Sequence, residues 1–353
     1  MRNRWRDGSD NARPTYIYAT INSTMKSDAR STWIRAALWI ALGVAVGVGV
    51  SFSFLSKTGA LPTASNDCMK MYPLTSDLLD CDSYDSSSQS LSNVDSALDS
   101  AVATYIQEGK AKRISVWVRD LDTNQWASTN ENLRYAPASL MKLPLMIAYY
   151  KVAEVQPSLL DTEIVYTASS TLNDTTQDFV PAPTLVPGKS YTVEQVIEDM
   201  IINSDNNATA TLIDHLDPTI FTNTLIDLGV KIPGSSNNYD FVTAKTYSSI
   251  FRMLYNASYL NRDYSEKALD LMSKEAFKGI QVPLPSSVVV AHKFGEREVD
   301  NTDGSVQTRE LHDCGIVYAQ PHAYSICVMT EGSSFSDLMS VIQNLSALAY
   351  QKI

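Results

Sequence analysis

The sequence predicts an α/β sandwich of the α+β kind, an antiparallel sheet assembled from both ends of one domain and covered by helices. Three observations predict it. In RISVWVRDLDTNQWAST, Ile114, Val116 and Val118 alternate along the chain, and Asp122-Thr123-Asn124 supplies a turn before Trp126 resumes, so the segment reads as a hairpin. Near the other end, CGIVYAQPHAYSICVMT reads as a second hairpin turning between Gln320 and His322. Between and around these hairpins the apolar residues recur at helical steps, and strands at both ends with helices between them close one sheet from two chain ends.

The elements follow in order. The 353 residues carry a net charge of −11, but the first 35 residues sum to +4, leaving −15 for the rest. That acidic balance argues against a nucleic-acid partner, which calls for a basic face. Hydrophobic content of 44% and charged content of 19% fit a folded globular chain, and four cysteines are too few for a disulfide scaffold. Trp33 to Leu55 is an apolar run whose only charge is Arg35, long enough as a helix to cross about 30 Å of hydrocarbon. It is longer than the apolar region of a cleaved signal peptide and follows a longer leader, so an uncleaved anchor is favoured. The expected organisation is a cytoplasmic tail over 1–32, a transmembrane anchor over 33–55 in contact with the lipid bilayer, and everything beyond outside the cell membrane by the positive-inside rule.

Residues 56–92 read as a tether. From Met71 to Gly109 there is no Lys or Arg, while Ser and Asp dominate SDLLDCDSYDSSSQS, a composition that disfavours a packed core. Cys68 and Cys81 lie here, either closing a small loop in an oxidising exterior or standing as two thiols. The soluble domain spans 93–353. Leu91, Val94, Leu98, Val102 and Ile106 mark one face of an opening helix, and Phe335, Leu338, Ile342, Leu345 and Leu348 one face of a closing helix. If the second hairpin turns about position 320.5, Cys314 stands opposite Cys327, as a cross-strand disulfide or as two buried thiols.

The chemistry concentrates in three places. In YAPASLMKLPLMIAYYK, Ser139 and Lys142 stand at i and i+3 at the head of an apolar helical stretch, so both project from one face of its first turn. A serine hydroxyl needs a base to take its proton, and a buried lysine near a helix N-terminus serves as one when its ammonium form is disfavoured. Ser204-Asp205-Asn206 follows the helical run TVEQVIEDMIIN, and Lys293-Phe294-Gly295 follows VVVAH. In order and separation these three groups resemble the S-x-x-K, S-D-N and K-T-G motifs of the penicillin-recognising serine acyltransferases, and PGKSYTVEQVIEDMIINSDNNATATLIDHL is similar to the helical subdomain of class A β-lactamases.

The resemblance implies a β-lactamase/transpeptidase-like fold with a helical subdomain inserted. It implies Ser139 as the acylated nucleophile, Lys142 as its base and Ser204 as the proton donor to the leaving nitrogen. Asn206 would hold the substrate's amide side chain and Lys293 its carboxylate, and Gly295 would let the substrate backbone lie close. The N–H groups of Ser139 and Glu296 would form the oxyanion hole. The implied substrates are β-lactams or peptidoglycan-peptide-like D-alanyl peptides, with no cofactor and no metal. The four histidines show no metal-ligand spacing, and no G-x-S-x-G elbow is present.

Two departures from the pattern matter. Phe294 stands where the family carries a hydroxyl residue beside the substrate carboxylate, with Arg297 as a substitute cation. From Asp199 through Ser265 there is no glutamate to activate a deacylating water. Asp240 is the one carboxylate in the loop that should hold it, and reads as a local cap. Slow deacylation follows, and the alternative is a catalytically impaired domain that binds cell-wall peptides. Glu296-Arg297-Glu298 reads as a solvated charged rim.

Overall fold

The computed structural model describes residues 74–76, 91–167, 177–180, 185–233, 239–300 and 306–353, apart from the side chains of Asp300 and Val306. All of these lie in the second of the chain's two units, Ala64–Ile353. The Trp33–Leu55 run and the Cys68/Cys81 pair fall outside the described residues. Among the described residues, no helix is long and apolar enough to cross a membrane.

Helix α1 (Ser92–Gln107) buries Val94, Leu98 and Val102 and leaves Ile106 exposed, so the predicted apolar face holds for its first three turns. Strands β1 (Arg113–Asp120) and β2 (Trp126–Thr129) form the first hairpin, pairing Val116 with Thr129 across a turn in which Asn124 takes a left-handed φ of 60°. Strands β6 (Val306–Val317) and β7 (Tyr324–Gly332) form the last, pairing Val317 with Tyr324 and Cys314 with Cys327, the register expected for a turn about 320.5. The two cysteines are bonded as a disulfide with Cα atoms 3.9 Å apart, which settles the choice left open by the sequence. With β5 (Val290–Asp300) the sheet order is β2-β1-β7-β6-β5, antiparallel throughout, so β1 from the domain's start lies against β7 from its end.

Each face of the sheet carries its own core. Along β7, Ile326 and Val328 pack with α1 and the closing helix α8 (Phe335–Lys352), while Cys327 and Met329 face the opposite way, into the helices between the hairpins. This is the two-residue period of a strand buried on both sides. The inserted helices are α2 (Lys142–Ala153), α3 (Val193–Ile202), α4 (Asn206–His215), α5 (Pro218–Asp227), α6 (Ala244–Tyr255) and α7 (Arg262–Met272), with the short hairpin β3 (Glu163–Val165)/β4 (Ser190–Thr192) leading into α3. Helix α2 is buried nearly all round and forms the axis of this subdomain. Helix α3 starts at a capping box, in which Thr192 Oγ1 accepts from Gln195 N–H at 3.2 Å and Gln195 Oε1 accepts from Thr192 N–H at 2.9 Å. Asp205 caps α4 by accepting from Ala208 N–H at 2.8 Å.

Within the stretch read as a tether, Leu74–Ser76 is packed against the domain. Glu266 accepts the N–H groups of Leu74 and Thr75 at 3.0–3.1 Å, Ser76 N–H donates to Tyr255 O at 2.7 Å, and Tyr318 O–H donates to Leu74 O at 2.8 Å. The reason lies far along the chain, in a carboxylate on α7 positioned to satisfy two backbone donors.

Candidate active site

Ser139 sits in a single 3-10 turn, Ala138–Met141, that runs directly into α2. Several distant elements hold this turn. Tyr247 O–H on α6 donates to Leu140 O at 2.7 Å, and Tyr135 N–H donates to Val242 O at 2.9 Å. On β6, burial pushes the His312 imidazole down to about 4, so at neutral pH it is uncharged. Its Nε2–H donates to Ala136 O at 3.0 Å, and its Nδ1 accepts from Thr330 N–H at 3.3 Å. Ala138 adopts a left-handed φ of 49°, a cost of order 1–3 kcal/mol that such anchoring must offset.

Gly295 on β5 meets the turn from the other side. A Cβ there would lie 2.7 Å from Pro137 O and 3.1 Å from Leu140 N, a contact no side chain tolerates. The nucleophile turn packs directly against this glycine, which leaves room for that turn. Strand β5 is the edge of the sheet, so every second N–H along it points away from β6 into the cleft.

Lys142 is 3% exposed, and its Nζ donates to Ser204 Oγ at 3.0 Å, to Asn206 Oδ1 at 2.7 Å and to the Ser204 carbonyl. Burial first, and the nearby Lys293 ammonium second, hold its pKa well below the ordinary lysine value. Ser204 is fully buried in a left-handed conformation (φ 54°) between α3 and α4, aimed at Lys142. Ser139, Lys142, Asn206 and Glu296 line one cleft of about 710 Å³, together with Met141, Leu145, Ile213 and Phe221 on its apolar side.

Three expectations from the sequence change here. Lys293 does not line the cleft. Its Nζ pairs with Glu275 Oε2 at 2.7 Å, both side chains at 0% exposure, so the ammonium expected to hold a substrate carboxylate is engaged by an internal one. Phe294 stacks on Phe277 with centroids 3.9 Å apart, and Phe179 meets both rings edge-on, which makes the departure from a hydroxyl residue part of an aromatic cluster. Glu296 is buried rather than on a solvated rim: its carboxylate accepts N–H groups from Asp178 and Phe179 at 3.1 Å each, and burial pushes it up to about 7.

The segment 177–180, which sequence reasoning missed, thus spans the cleft. At its start Gln177 Nε2 donates to Ser204 O at 2.8 Å. The strand period held the only signal for it: Phe294 and Glu296 share a side of β5, so a buried neighbour two residues before Glu296 argues against a rim. Asp240 is not among the residues that line the cleft; it lies 3.6 Å from Arg113 and 3.7 Å from Arg297.

A serine at the head of a buried helix, a buried lysine three residues on, a second serine bonded to that lysine and an abutting edge strand define a β-lactamase-like serine hydrolase fold. The chain belongs to the beta-lactamase enzyme family, which matches residues 97–353. Solved structures agree at the level of the fold. PBP-A superposes with a TM-score of 0.60 at 18% identity, covering 75% of this chain and 97% of that one. The TLA-1 extended-spectrum β-lactamase gives 0.60 at 20%, covering 73% and 98%, and a β-lactamase from Xanthomonas campestris pv. campestris gives 0.62 at 18%, covering 73% and 98%. No curated protein matches the chain in sequence.

Proposed function

We propose that the chain is a membrane-anchored, extracytoplasmic serine hydrolase that forms an acyl-enzyme at Ser139 with β-lactams or D-alanyl peptides and releases it slowly. The observation that carries this reading is the buried Lys142, its ammonium form disfavoured, 3.0 Å from Ser204 Oγ in the cleft that Ser139 lines. Lys142, its ammonium form disfavoured by burial, takes the Ser139 proton as Oγ bonds the acyl carbon. The N–H groups of Ser139 and Glu296 stabilise the oxyanion, and the leaving nitrogen departs with a proton passed from Lys142 through Ser204. Asn206, already facing the cleft, orients the substrate's amide.

Slow deacylation rests on what surrounds the site. No glutamate occurs from Asp199 through Ser265, and Asp240 is engaged by two arginines. The anchor rests on the 33–55 run and the charge split alone. The PBP-A mutant in acyl-enzyme complex with penicillin G, similar in fold at 18% identity, makes penicillin the natural first probe. A second reading, a wall-peptide binding module without turnover, is favoured by the engagement of Lys293 with Glu275. Incubation with a fluorescent penicillin separates the two: a covalent adduct absent from the Ser139→Ala variant supports the enzyme, and no adduct at saturating probe leaves the binding module.

A further inference from the structure

Helix α6 turns a polar face toward the sheet. Lys245, Ser248 and Arg252 recur along it at i, i+3 and i+7, so they share one side, while Ile250, Phe251 and Leu254 are buried in the core. Across from them, Trp117 and Arg119 stand two residues apart on β1, and Arg119 pairs with Ser325 on β7, so these three share one face of the sheet. The two sets of side chains line a cleft of about 170 Å³, roughly a quarter the size of the Ser139 cleft at about 710 Å³ and with no lining residue in common.

The lining is the complement of an anion. Arg119, Lys245 and Arg252 converge here with no Asp or Glu among the lining residues, in a chain whose net charge is −11. Neither Lys245 nor Arg252 forms an ion pair among the described residues, and the Lys245 ammonium lies over the Trp117 ring, 5.1 Å from its centroid. Like charges gathered at one cleft repel, and an anion among them reverses that cost. The floor adds a donor. Ser248 and Ser325 are 2% and 1% exposed, and Ser248 Oγ donates to Ser325 Oγ at 3.1 Å. The two hydroxyls carry two protons, and the bond between them uses one; among the described residues nothing accepts the other.

We infer that the cleft between α6 and the β1/β7 strands is a second ligand site, one that takes the terminal phosphate of a small, soluble phosphate ester. The phosphate oxygens accept the spare serine proton at the floor and the N–H groups of the two arginines and Lys245 at the walls. Three cations favour a dianionic monoester over a monoanionic diester, because each cation acts on the whole charge of the group. Trp117 is the one apolar residue of the lining, so the cleft offers an acyl chain little to rest on. The site goes beyond the acyl-enzyme reading and does not depend on it.

Phosphorus NMR titrations of the full-length protein at low salt test this, with inorganic phosphate, glycerol 3-phosphate, dimethyl phosphate and dihexanoyl phosphatidic acid as probes. Phosphate and glycerol 3-phosphate should show saturable line broadening, and dimethyl phosphate should bind at least about tenfold more weakly. Arg252→Gln should weaken phosphate binding by at least about tenfold, the loss of one charge-assisted hydrogen bond, and Lys245→Gln, at the exposed edge, by about threefold. Lys112→Gln, which removes an exposed cation outside the cleft, should change nothing. Should Arg252→Gln fail to fold, Lys245→Gln and Ser325→Ala decide in its place. No saturable broadening, or phosphate binding that survives the cleft variants unchanged, overturns the inference. Equal affinity for dimethyl phosphate overturns the assignment to a terminal phosphate, and phosphatidic acid bound more than about tenfold tighter than glycerol 3-phosphate overturns the assignment to a small soluble ester.

Discussion

The Lys293–Glu275 pair offers a sharp quantitative test, because its two side chains are 0% exposed and their charged atoms 2.7 Å apart. Breaking a buried pair by neutralising one partner leaves the other charge uncompensated in a low-dielectric site, at a cost of about 3–5 kcal/mol. Glu275→Gln keeps the volume and an oxygen acceptor while removing the charge, so it isolates this cost from any cavity. Lys293→Met removes the other charge. For a domain of this size each kcal/mol moves Tm by roughly 2–4 °C, so either single variant should melt about 6–20 °C below the wild type. The double variant Glu275→Gln/Lys293→Met leaves no unpaired charge and should recover most of the loss, giving a coupling of at least about 2 kcal/mol in a double-mutant cycle read by denaturant unfolding. Single variants that each lose less than about 1 kcal/mol, or losses that simply add, would refute the claim that these charges meet in a dry interior.

Two further predictions concern the site and its charge. Lys142→Ala should lower the rate of Ser139 acylation about 10²- to 10⁴-fold, measured by stopped-flow with a chromogenic β-lactam, while leaving far-UV circular dichroism unchanged. Glu310 is buried, and burial pushes its carboxyl up to about 7 from an ordinary 4.5. Its protonated form is the one the fold favours, so the stability it contributes is present below pH 4.5 and is lost as pH rises through 7. The stability of wild type relative to Glu310→Gln should therefore fall by a few kcal/mol between pH 4.5 and 7.5, as read from urea midpoints at each pH.

Local pattern carried the sequence reading a long way. The alternation of Ile114, Val116 and Val118, and the symmetry of the last hairpin, were enough to place β1 and the register that brings Cys314 opposite Cys327. The three motif groups likewise single out Ser139, Lys142, Ser204 and Asn206: the fold lines one cleft with Ser139, Lys142 and Asn206 and sets Lys142 Nζ against Ser204 Oγ and Asn206 Oδ1. What escaped was set by partners far apart in the chain. Glu296 meets Asp178 across 118 positions, and Leu74 meets Glu266 across 192. The resemblance implies that Lys293 holds a substrate carboxylate; only the folded chain shows Glu275 against its ammonium. Asp240 reads as a local cap because its loop is rich in Gly, Ser and Asn; what the loop composition could not show is that Arg113 and Arg297, from strands at two different positions in the sheet, converge on it. Charge composition alone cannot tell a rim carboxylate from a buried one; the strand period, applied to Phe294 and Glu296, can.

The central claim is a nucleophilic Ser139 that acylates readily and deacylates slowly. Intact-mass spectrometry of the full-length protein, followed over time after a pulse of penicillin G and removal of free drug, reads both halves at once. The account predicts one added penicilloyl mass, mapped to Ser139 and absent in Ser139→Ala, that persists over many minutes. No adduct, or an adduct elsewhere, would contradict the nucleophile; an adduct that vanishes within seconds would contradict the argument from the missing glutamate.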